Sequence, residues 1–211
     1  IIDDLSRKAA DEGADVIAFH ECSITGYSFA RKLDKAQMLA LAEFIPDGPS
    51  IKRLIQIARK NGIILLAGLF EKDNQGRIYK SYVCVDGDGL KANYHKLHPF
   101  INPHVLPGSK YCVFDLKGWK CGILICYDNN IVENVRATCL LGAEIIFMPH
   151  VTMCTPSSRP GAGFVDPELW QNRKKDPTSL RVEFDGMKGR QWLMKWLPAR
   201  AYDNGVYVVF S

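Results

Sequence analysis

The sequence predicts an α/β protein with a mixed sheet, and three observations support this fold class. Residues 120–150 read as strand, sharp turn, helix and strand, and both strands are apolar enough to be buried on two faces. Residues 63–85 read as two strands around Asp73-Asn74-Gln75-Gly76, which is a hairpin signal. Strands also alternate with helices along most of the chain, as is typical of α/β folds.

The elements before residue 126 follow from periodicity and turn residues. Helices are expected over residues 2–12, 34–42 and 49–60, the last with proline at its start and Asn61-Gly62 after it. A loop carrying His20, Glu21 and Cys22 follows a buried strand at residues 15–19. Further strands are expected over residues 63–71, 77–85, 90–94, 111–116 and 119–125.

After residue 126 the sequence predicts a helix and a strand, then a long loop, and then a final helix and strand. Asn129-Asn130 is expected to cap a helix over residues 131–141, and a buried strand follows at residues 144–148. Residues 152–180 are expected to form a long polar loop, of the kind that is usually functional. A helix near residues 186–197 and a strand at residues 206–210 complete the prediction.

Composition narrows the class of protein. With 211 residues, 47% of them hydrophobic, the chain can bury a full core, so we expect a single domain over residues 1–211. No apolar run is long enough to span a bilayer, and no signal segment opens the chain. Seven cysteines without a CxxC pair indicate a reducing, cytoplasmic setting.

Charge is unevenly distributed along the chain. Residues 159–200 hold nine Lys or Arg against five acidic residues, whereas the rest of the chain is balanced at 18 of each. No basic stripe is interleaved with aromatic residues, which argues against a nucleic-acid partner. A solvated surface is the simpler interpretation of the basic segment, and attraction of an anionic substrate is the alternative.

Three residues at strand ends form a chemically complete set. Glu21, Lys96 and Cys126 each follow an apolar run closely, so all three are expected along one sheet edge. Glu21 can accept a thiol proton, Cys126 can attack an unsaturated carbon, and Lys96 can stabilise the negative charge that develops. The turn after a buried strand, facing a helix N-terminus, is also where thiolates are stabilised.

Simpler interpretations compete with this one. A cysteine in an apolar run is more often a buried structural residue, and only the match with Glu21 and Lys96 reverses that preference for Cys126. A Cys126–His150 dyad is conceivable, but a role for His150 in lining the pocket is favoured. Structural roles are also favoured for His95 and His98, for Cys22, and for a Glu133–Arg136 ion pair.

Three segments together extend the argument to a family. They resemble, in order, the three signature regions of the nitrilase (carbon–nitrogen hydrolase) superfamily: ADVIAFHECSITGY, YHKLHPF and CGILICYDNNIVENVRATCLLGAEIIFMPH. The resemblance implies a four-layer αββα sandwich and a Glu-Lys-Cys triad at Glu21, Lys96 and Cys126. It also implies a homodimer or higher homo-oligomer, and a chain truncated at both ends, as the opening helix and the closing apolar strand suggest.

The resemblance further implies a reaction. Cys126 would form a thioester with an amide or N-carbamoyl substrate, with Lys96 and the backbone N–H of Tyr127 holding the oxyanion and His150 lining the pocket. No metal or organic cofactor is implied. The alternatives are an inactive binding or scaffold subunit, and an amide or acyl transferase that uses the same thioester.

Two departures from the family pattern stand out. His20 occupies the place before the triad glutamate where the family usually has proline. Between Lys96 and Gly108 there is no acidic residue, although many members carry an auxiliary glutamate there. Pro103 or His104 is expected at that place, with His104 as the candidate substitute beside Lys96.

Overall fold

The computed structural model describes residues 1–152 and 157–211, and contacts divide the chain into two compact units. The first unit contains Ile1–Val151 together with Val206–Ser211. The second unit lies within Thr152–Gly205. Among the described residues no helix has the length and apolar character needed to cross a membrane.

The first unit contains a mixed sheet whose order is β1-β2-β3-β4, with β5 beside β3. β1 is parallel to β2, and the β2–β3 and β3–β4 pairs are antiparallel. Its strands are β1 (Val16–Ala18), β2 (Ile64–Lys72), β3 (Ile78–Val85), β4 (Leu90–His95) and β5 (Val105–Leu106). The hairpin predicted between β2 and β3 is present, whereas β5 was not predicted because two residues carry no periodicity.

Helix α3 (Pro49–Asn61) packs on this sheet, and helix α1 (Ile2–Asp11) packs against α3. The buried face of α3 joins the apolar residues of β2 and β3 in one core cluster, because Ile51, Leu54 and Ile57 recur at helical spacing. The helix begins at Pro49 and ends before Gly62, whose φ of +65° is the left-handed cap predicted there. Helix α2 (Lys35–Leu41) begins in a capping box between Asp34 and Gln37.

The second sheet of this unit has the order β6-β7-β8-β9. Its strands are β6 (Cys112–Leu116), β7 (Trp119–Ile123), β8 (Ile145–Met148) and β9 (Tyr207–Phe210). β6 and β7 are antiparallel across Lys117-Gly118 as predicted, and β8 is parallel to both β7 and β9. Helix α4 (Val132–Leu140) lies so close to this sheet that a Cβ on Gly122 would be 2.5 Å from Thr138 Cγ2.

The connection from β7 to α4 differs from the prediction. Residues Cys126–Asn130 wind into a short 3₁₀ helix, and α4 begins only at Val132, without a side-chain cap. The prediction that Asn129-Asn130 caps α4 was therefore wrong. The Asn129 amide donates to the Leu124 carbonyl oxygen at 2.9 Å, so it braces the turn that carries Cys126.

The second unit is more helical than the sequence interpretation allowed. The described part of the predicted long loop contains α5 (Pro167–Gln171) and α6 (Pro177–Asp185). Each begins at a proline that follows a capping aspartate, Asp166 or Asp176, so the signal was present in the sequence and was overlooked.

The single helix predicted near residues 186–197 was also wrong. It is two short helices, α7 (Arg190–Leu193) and α8 (Leu197–Tyr202), and Pro198 lies in the first turn of the latter. The chain leaves the α-helical pattern at Lys195 and Trp196, whose N–H groups donate to carbonyls three positions back, and Pro198 then favours the start of a new helix.

Candidate active site

Glu21, Lys96 and Cys126 are brought together in the first unit, although not along one sheet edge as predicted. Glu21 follows β1 and Lys96 follows β4, and the carboxyl ends of these two strands lie at the same edge of the first sheet. Cys126 follows β7, which belongs to the second sheet. The prediction of one edge was wrong because strands from two different sheets contribute to the site.

The Glu21 and Lys96 side chains form a buried ion pair. Lys96 Nζ donates to Glu21 Oε1 at 2.8 Å, and the two side chains are 0% and 1% exposed, respectively. The backbone of Lys96 is fixed on both sides, because its N–H donates to the Lys80 carbonyl oxygen and its own carbonyl oxygen accepts from Gly108 N–H. The ammonium group therefore has little freedom to leave the carboxylate.

Val151 links Glu21 to Cys126. The Val151 N–H donates to Glu21 Oε2 at 3.3 Å, and the Cys126 thiol donates to the Val151 carbonyl oxygen at 4.0 Å, a long contact involving sulfur. One residue, Val151, thus contacts both the second carboxylate oxygen and the thiol. A general base must lie within hydrogen-bond reach of the proton that it takes, either directly or through one water.

The Cys126 backbone adopts the left-handed conformation, with φ of +50°. Its N–H donates to the Pro149 carbonyl oxygen at 2.8 Å, which extends the pairing between the neighbouring strands β7 and β8 beyond their ends. Non-glycine residues in this conformation are uncommon and cluster at functional sites. The turn holds the thiol where two sheets meet, with the residue 7% exposed.

Charge and burial act in opposite directions on the three groups. Burial alone would raise the pKa of Glu21, but Lys96 and Lys80 outweigh it and hold that pKa below its usual range. Burial raises the pKa of the Cys126 thiol to about 11, against a lowering effect of Lys96. Burial would lower the pKa of Lys96, but Glu21 and Cys126 more than compensate and raise it. In the resting state Glu21 is therefore ionised and Cys126 carries its proton.

Asp128 joins the two halves of the site, and sequence reasoning did not identify this role. Its carboxylate accepts hydrogen bonds from the Tyr94 hydroxyl at 2.8 Å and from the His98 N–H at 2.9 Å. It also accepts from the Leu97 and Ile125 N–H groups, each at 3.3 Å. The loop after Lys96 is therefore tied to the turn that presents Cys126.

Lys80 is a second buried cation at Glu21, and it too was missed. Lys80 Nζ lies 3.1 Å from Glu21 Oε1, the same oxygen that Lys96 binds, and the side chain is 0% exposed. The sequence did contain a signal. Lys80 shares a strand face with Ile78, Tyr82 and Cys84, all of them buried, and a charged residue in such an apolar series needs an explanation.

The predicted pocket residues occupy different surroundings. The Tyr127 side chain is 46% exposed and meets Phe100 and His98 edge to face, with ring centroids 6.0 and 6.3 Å away. His150 is buried, accepts from the Asn129 amide at 3.2 Å, and packs against Phe210. Burial lowers the pKa of His150 to about 3, so its imidazole is neutral. Their roles toward substrate stay predictions.

His104 does not replace the absent acid in the described contacts. Its backbone N–H donates to the Asn102 side chain at 2.9 Å, and no described contact connects its imidazole with Lys96. The charged group next to the Glu21–Lys96 pair is Lys80 instead, contributed by β3 and not by the loop after Lys96.

His95 and Glu71 contact each other away from the Glu21–Lys96 pair. His95 Nε2 lies 2.7 Å from Glu71 Oε2 and its ring stacks on Tyr79. Glu71 also accepts from the Ser81 hydroxyl, so these residues form a polar cluster on the first sheet. Across the residues that the structure describes, no group of three His, Cys, Asp or Glu side chains is arranged to hold a metal ion.

Comparison with known proteins identifies the family of this chain. The model of the carbon–nitrogen hydrolase family matches residues 1–211, and the chain therefore belongs to that family. A nitrilase from Pyrococcus abyssi is 33% identical over 148 residues, covering 69% of this chain and 55% of that protein. An N-carbamoylputrescine amidase from Solanum lycopersicum is 32% identical over 153 residues, covering 69% of this chain and 50% of that protein.

A solved structure has a similar fold. An amidase from Nesterenkonia sp. aligns over 100% of this chain and 67% of its own, with a TM-score of 0.67 and 22% identity. The predicted nitrilase-type α/β fold with two sheets is confirmed. The chain spans about half the length of the curated relatives it matches, between 49% and 55% of three of them.

Proposed function

We propose that this chain carries the catalytic centre of an amidase, which hydrolyses the carbon–nitrogen bond of an amide or N-carbamoyl substrate through a thioester on Cys126. The observation that carries the proposal is the buried Glu21–Lys96 ion pair of 2.8 Å, linked to the Cys126 thiol through Val151. It supplies an ionised base, a fixed cation and a thiol in one place.

The proposed reaction begins with proton transfer. Glu21 takes the thiol proton at Oε2, and the Cys126 sulfur attacks the carbonyl carbon of the substrate. Lys96 and the backbone N–H of Tyr127 stabilise the negative charge on the tetrahedral oxygen. Glu21 then gives the proton to the departing nitrogen, and ammonia or an amine leaves as the thioester forms.

Hydrolysis of the thioester completes the cycle. Glu21 takes a proton from water, and the resulting hydroxide attacks the thioester carbon. The carbon–sulfur bond breaks, the proton returns to the Cys126 sulfur, and the carboxylic or carbamic acid is released. Tyr127 and His150 would contact the substrate, the first from the exposed aromatic rim with Phe100 and the second from the buried side.

Two relatives support this choice of substrates. One is named an N-carbamoylputrescine amidase, and a Pseudomonas protein that is 30% identical over 141 residues is named an (R)-stereoselective amidase. We propose a homo-oligomer as the assembled form. A reducing compartment is proposed because the described cysteines are free thiols: Cys22, Cys84, Cys112, Cys121, Cys126 and Cys139.

The test is ammonia release from a panel of primary amides, N-carbamoyl amino acids and nitriles. Replacing the nucleophile in Cys126→Ala should lower the best rate by at least about a thousandfold while the circular dichroism spectrum stays unchanged. Cys121→Ala is the matched control, since it removes another buried thiol from the second sheet. Mass spectrometry of the wild type during turnover should find the acyl group on Cys126.

Two outcomes would contradict the proposal. Retention of activity by Cys126→Ala would exclude this thiol as the nucleophile. Failure of the wild type to release ammonia from every member of the panel, with no acyl adduct on Cys126, would favour a binding or scaffold subunit.

A further inference from the structure

The Glu21 carboxylate faces two ammonium groups but carries only one negative charge. Lys96 Nζ lies 2.8 Å and Lys80 Nζ 3.1 Å from the same oxygen, Oε1. The other oxygen, Oε2, accepts only the Val151 N–H among the described hydrogen bonds. The two oxygens are therefore different. One is bound by cations, and the other remains on the side that Val151 shares with the Cys126 thiol.

The surroundings of Lys80 are otherwise apolar and aromatic. Its ammonium lies over the Tyr27 ring at 4.3 Å from the centroid, and within 6.0 Å of the Phe70 and Phe100 ring centroids. Among the described contacts of its ammonium, the 3.1 Å contact with Glu21 Oε1 is the only one with an oxygen acceptor. Cation–π contacts compensate part of the lost hydration of a buried ammonium, but not all of it.

Burial and the neighbouring cation both disfavour the charge on Lys80. Burial lowers the pKa of Lys80 and nearby Lys96 lowers it further, against the opposing effect of Glu21. A base whose pKa is lower in the folded than in the unfolded state loses folding free energy whenever it is charged. A buried charge kept at such a disadvantage next to a catalytic base indicates a role in function.

We propose that Lys80 is a positioning residue, which holds Glu21 Oε1 together with Lys96 so that Oε2 alone receives the Cys126 proton and Glu21 stays ionised in the resting enzyme. This inference deepens the proposed function and rests on it for the role of Glu21. Lys80 acts through Glu21 and need not touch the substrate.

The titration of Glu21 can be followed separately from its neighbours. The groups that interact with it electrostatically come from both sheets and their loops: Cys22, Tyr27, Lys80, Lys96, Cys126 and His150. The pKa of Cys126 is about 11 and that of Cys22 about 12, and burial raises the pKa of Tyr27 further. The pKa of His150 is about 3. Burial also raises the pKa of Asp128, which acts on Lys96, but Lys80 is not among the main groups that act on Asp128. An acidic limb that moves when Lys80 is replaced therefore reports on Glu21.

The experiment compares Lys80→Met, which keeps length and apolar volume, with Lys80→Arg, which keeps the charge. The first readout is the rate at which iodoacetamide alkylates Cys126 as a function of pH, and it needs no turnover. The second is the pH dependence of kcat/KM for the best amide of the panel. Thermal unfolding at pH 7 is measured on each variant.

For Lys80→Met, the acidic limb of both profiles should move upward by roughly one pH unit, because removal of a nearby cation raises a carboxylate pKa by that order. The unfolding midpoint should rise by several degrees. Lys80→Arg should keep the acidic limb of the wild type. If no amide is hydrolysed but the alkylation profile shifts as described, the proposed function fails and the role of Lys80 stands.

Three results would overturn the inference. The first is an acidic limb of alkylation that is unchanged in Lys80→Met. The second is a Lys80→Met chain that unfolds at a lower temperature or does not fold, since Lys80 would then be a structural residue. The third is a Lys80→Arg profile that shifts as far as that of Lys80→Met.

Discussion

The charge balance around Glu21 gives the first prediction at the scale of single residues. Glu21→Gln removes the only carboxylate that contacts Lys80 and Lys96 among the described ion pairs, and leaves two buried ammonium groups facing each other. Breaking a buried pair from one side typically lowers the free energy of unfolding by about 3–5 kcal/mol. Urea unfolding should show a loss of this order, and ammonia release should stop.

A double variant separates charge from packing. Glu21→Gln combined with Lys80→Met leaves one buried cation in place of two, so it should be more stable than Glu21→Gln alone. The exposed Glu133→Gln is the control, with an expected change within about 0.5 kcal/mol. Equal losses in the single and double variants would show that repulsion between the two lysines is not what destabilises Glu21→Gln.

His150 gives a prediction of how stability depends on pH. Burial lowers its pKa from 6.5 to about 3 in the folded chain, whereas the unfolded chain keeps the ordinary value. Between these two values the unfolded state binds a proton that the folded state does not, so the free energy of unfolding falls as the pH is lowered from 6.5 toward 3. The slope from this one group reaches at most about 1.4 kcal/mol per pH unit.

His150→Gln should flatten this slope between pH 6.5 and 5, because glutamine can accept the Asn129 hydrogen bond without titrating. Chemical unfolding at half-unit intervals of pH measures it. The exposed His98→Gln is the matched control and should keep the slope of the wild type. The same slope in His150→Gln and wild type would mean that other groups cause the acid sensitivity.

At the scale of elements, strand β2 positions the loop that carries Glu21. A Cβ built on Gly68 would lie 2.5 Å from the Cys22 N and 3.2 Å from the Glu21 carbonyl carbon, both backbone atoms. Gly68 is therefore required by close approach of two backbones, and any side chain there would displace Glu21 from Lys96.

Gly68→Ala should consequently lower kcat by at least about a hundredfold, because displacements near 1 Å at a catalytic group have effects of this size. Gly76→Ala is the control: it lies in the hairpin turn with φ of +69° and open space around it. That variant should lose roughly 1–2 kcal/mol of stability with kcat unchanged. Comparable kcat in the two variants would argue against the close contact at Gly68.

The parts of the fold and of the candidate site that could be predicted from the sequence are those with a local sequence signal. Strand ends identified Glu21, Lys96 and Cys126, because positions after apolar runs can be read from the sequence. The pairing of strands into two sheets could not be read in the same way, so the expectation of a single edge failed. Lys80 was missed because its meaning depends on Glu21, which is 59 positions earlier in the sequence and adjacent in space.

In the second unit, by contrast, the sequence contained a local signal that the prediction did not use. Asp166-Pro167 and Asp176-Pro177 are local helix-start signals, and they were outweighed by the polar composition around them. Composition describes a whole segment, whereas a cap and a proline fix where a helix begins. Here the local signal was the better predictor.

At the scale of the whole molecule, positive charge is unevenly distributed along the chain. Residues 159–200 hold nine Lys or Arg against five acids, whereas the remainder of the chain has 18 of each. The buried cluster of Glu21, Lys80 and Lys96 also has one positive charge in excess. For the proposed amidase, both features predict a preference for a substrate with a carboxylate, such as an N-carbamoyl amino acid, over a neutral amide.

Electrostatic attraction of this kind is screened by salt, which gives a measurable consequence. Raising the ionic strength from about 0.01 to 0.15 M shortens the Debye length from roughly 30 to 8 Å. The kcat/KM for an N-carbamoyl amino acid should then fall severalfold, and that for a neutral primary amide should stay nearly constant.

Lys174→Glu with Lys175→Glu should weaken the salt dependence, because both side chains are exposed in the basic segment. Lys35→Glu with Lys52→Glu changes the net charge equally from outside that segment, and an equal loss of salt dependence in this variant would show that net charge alone is responsible. Equal salt dependence for charged and neutral substrates would show that the basic segment is only a solvated surface.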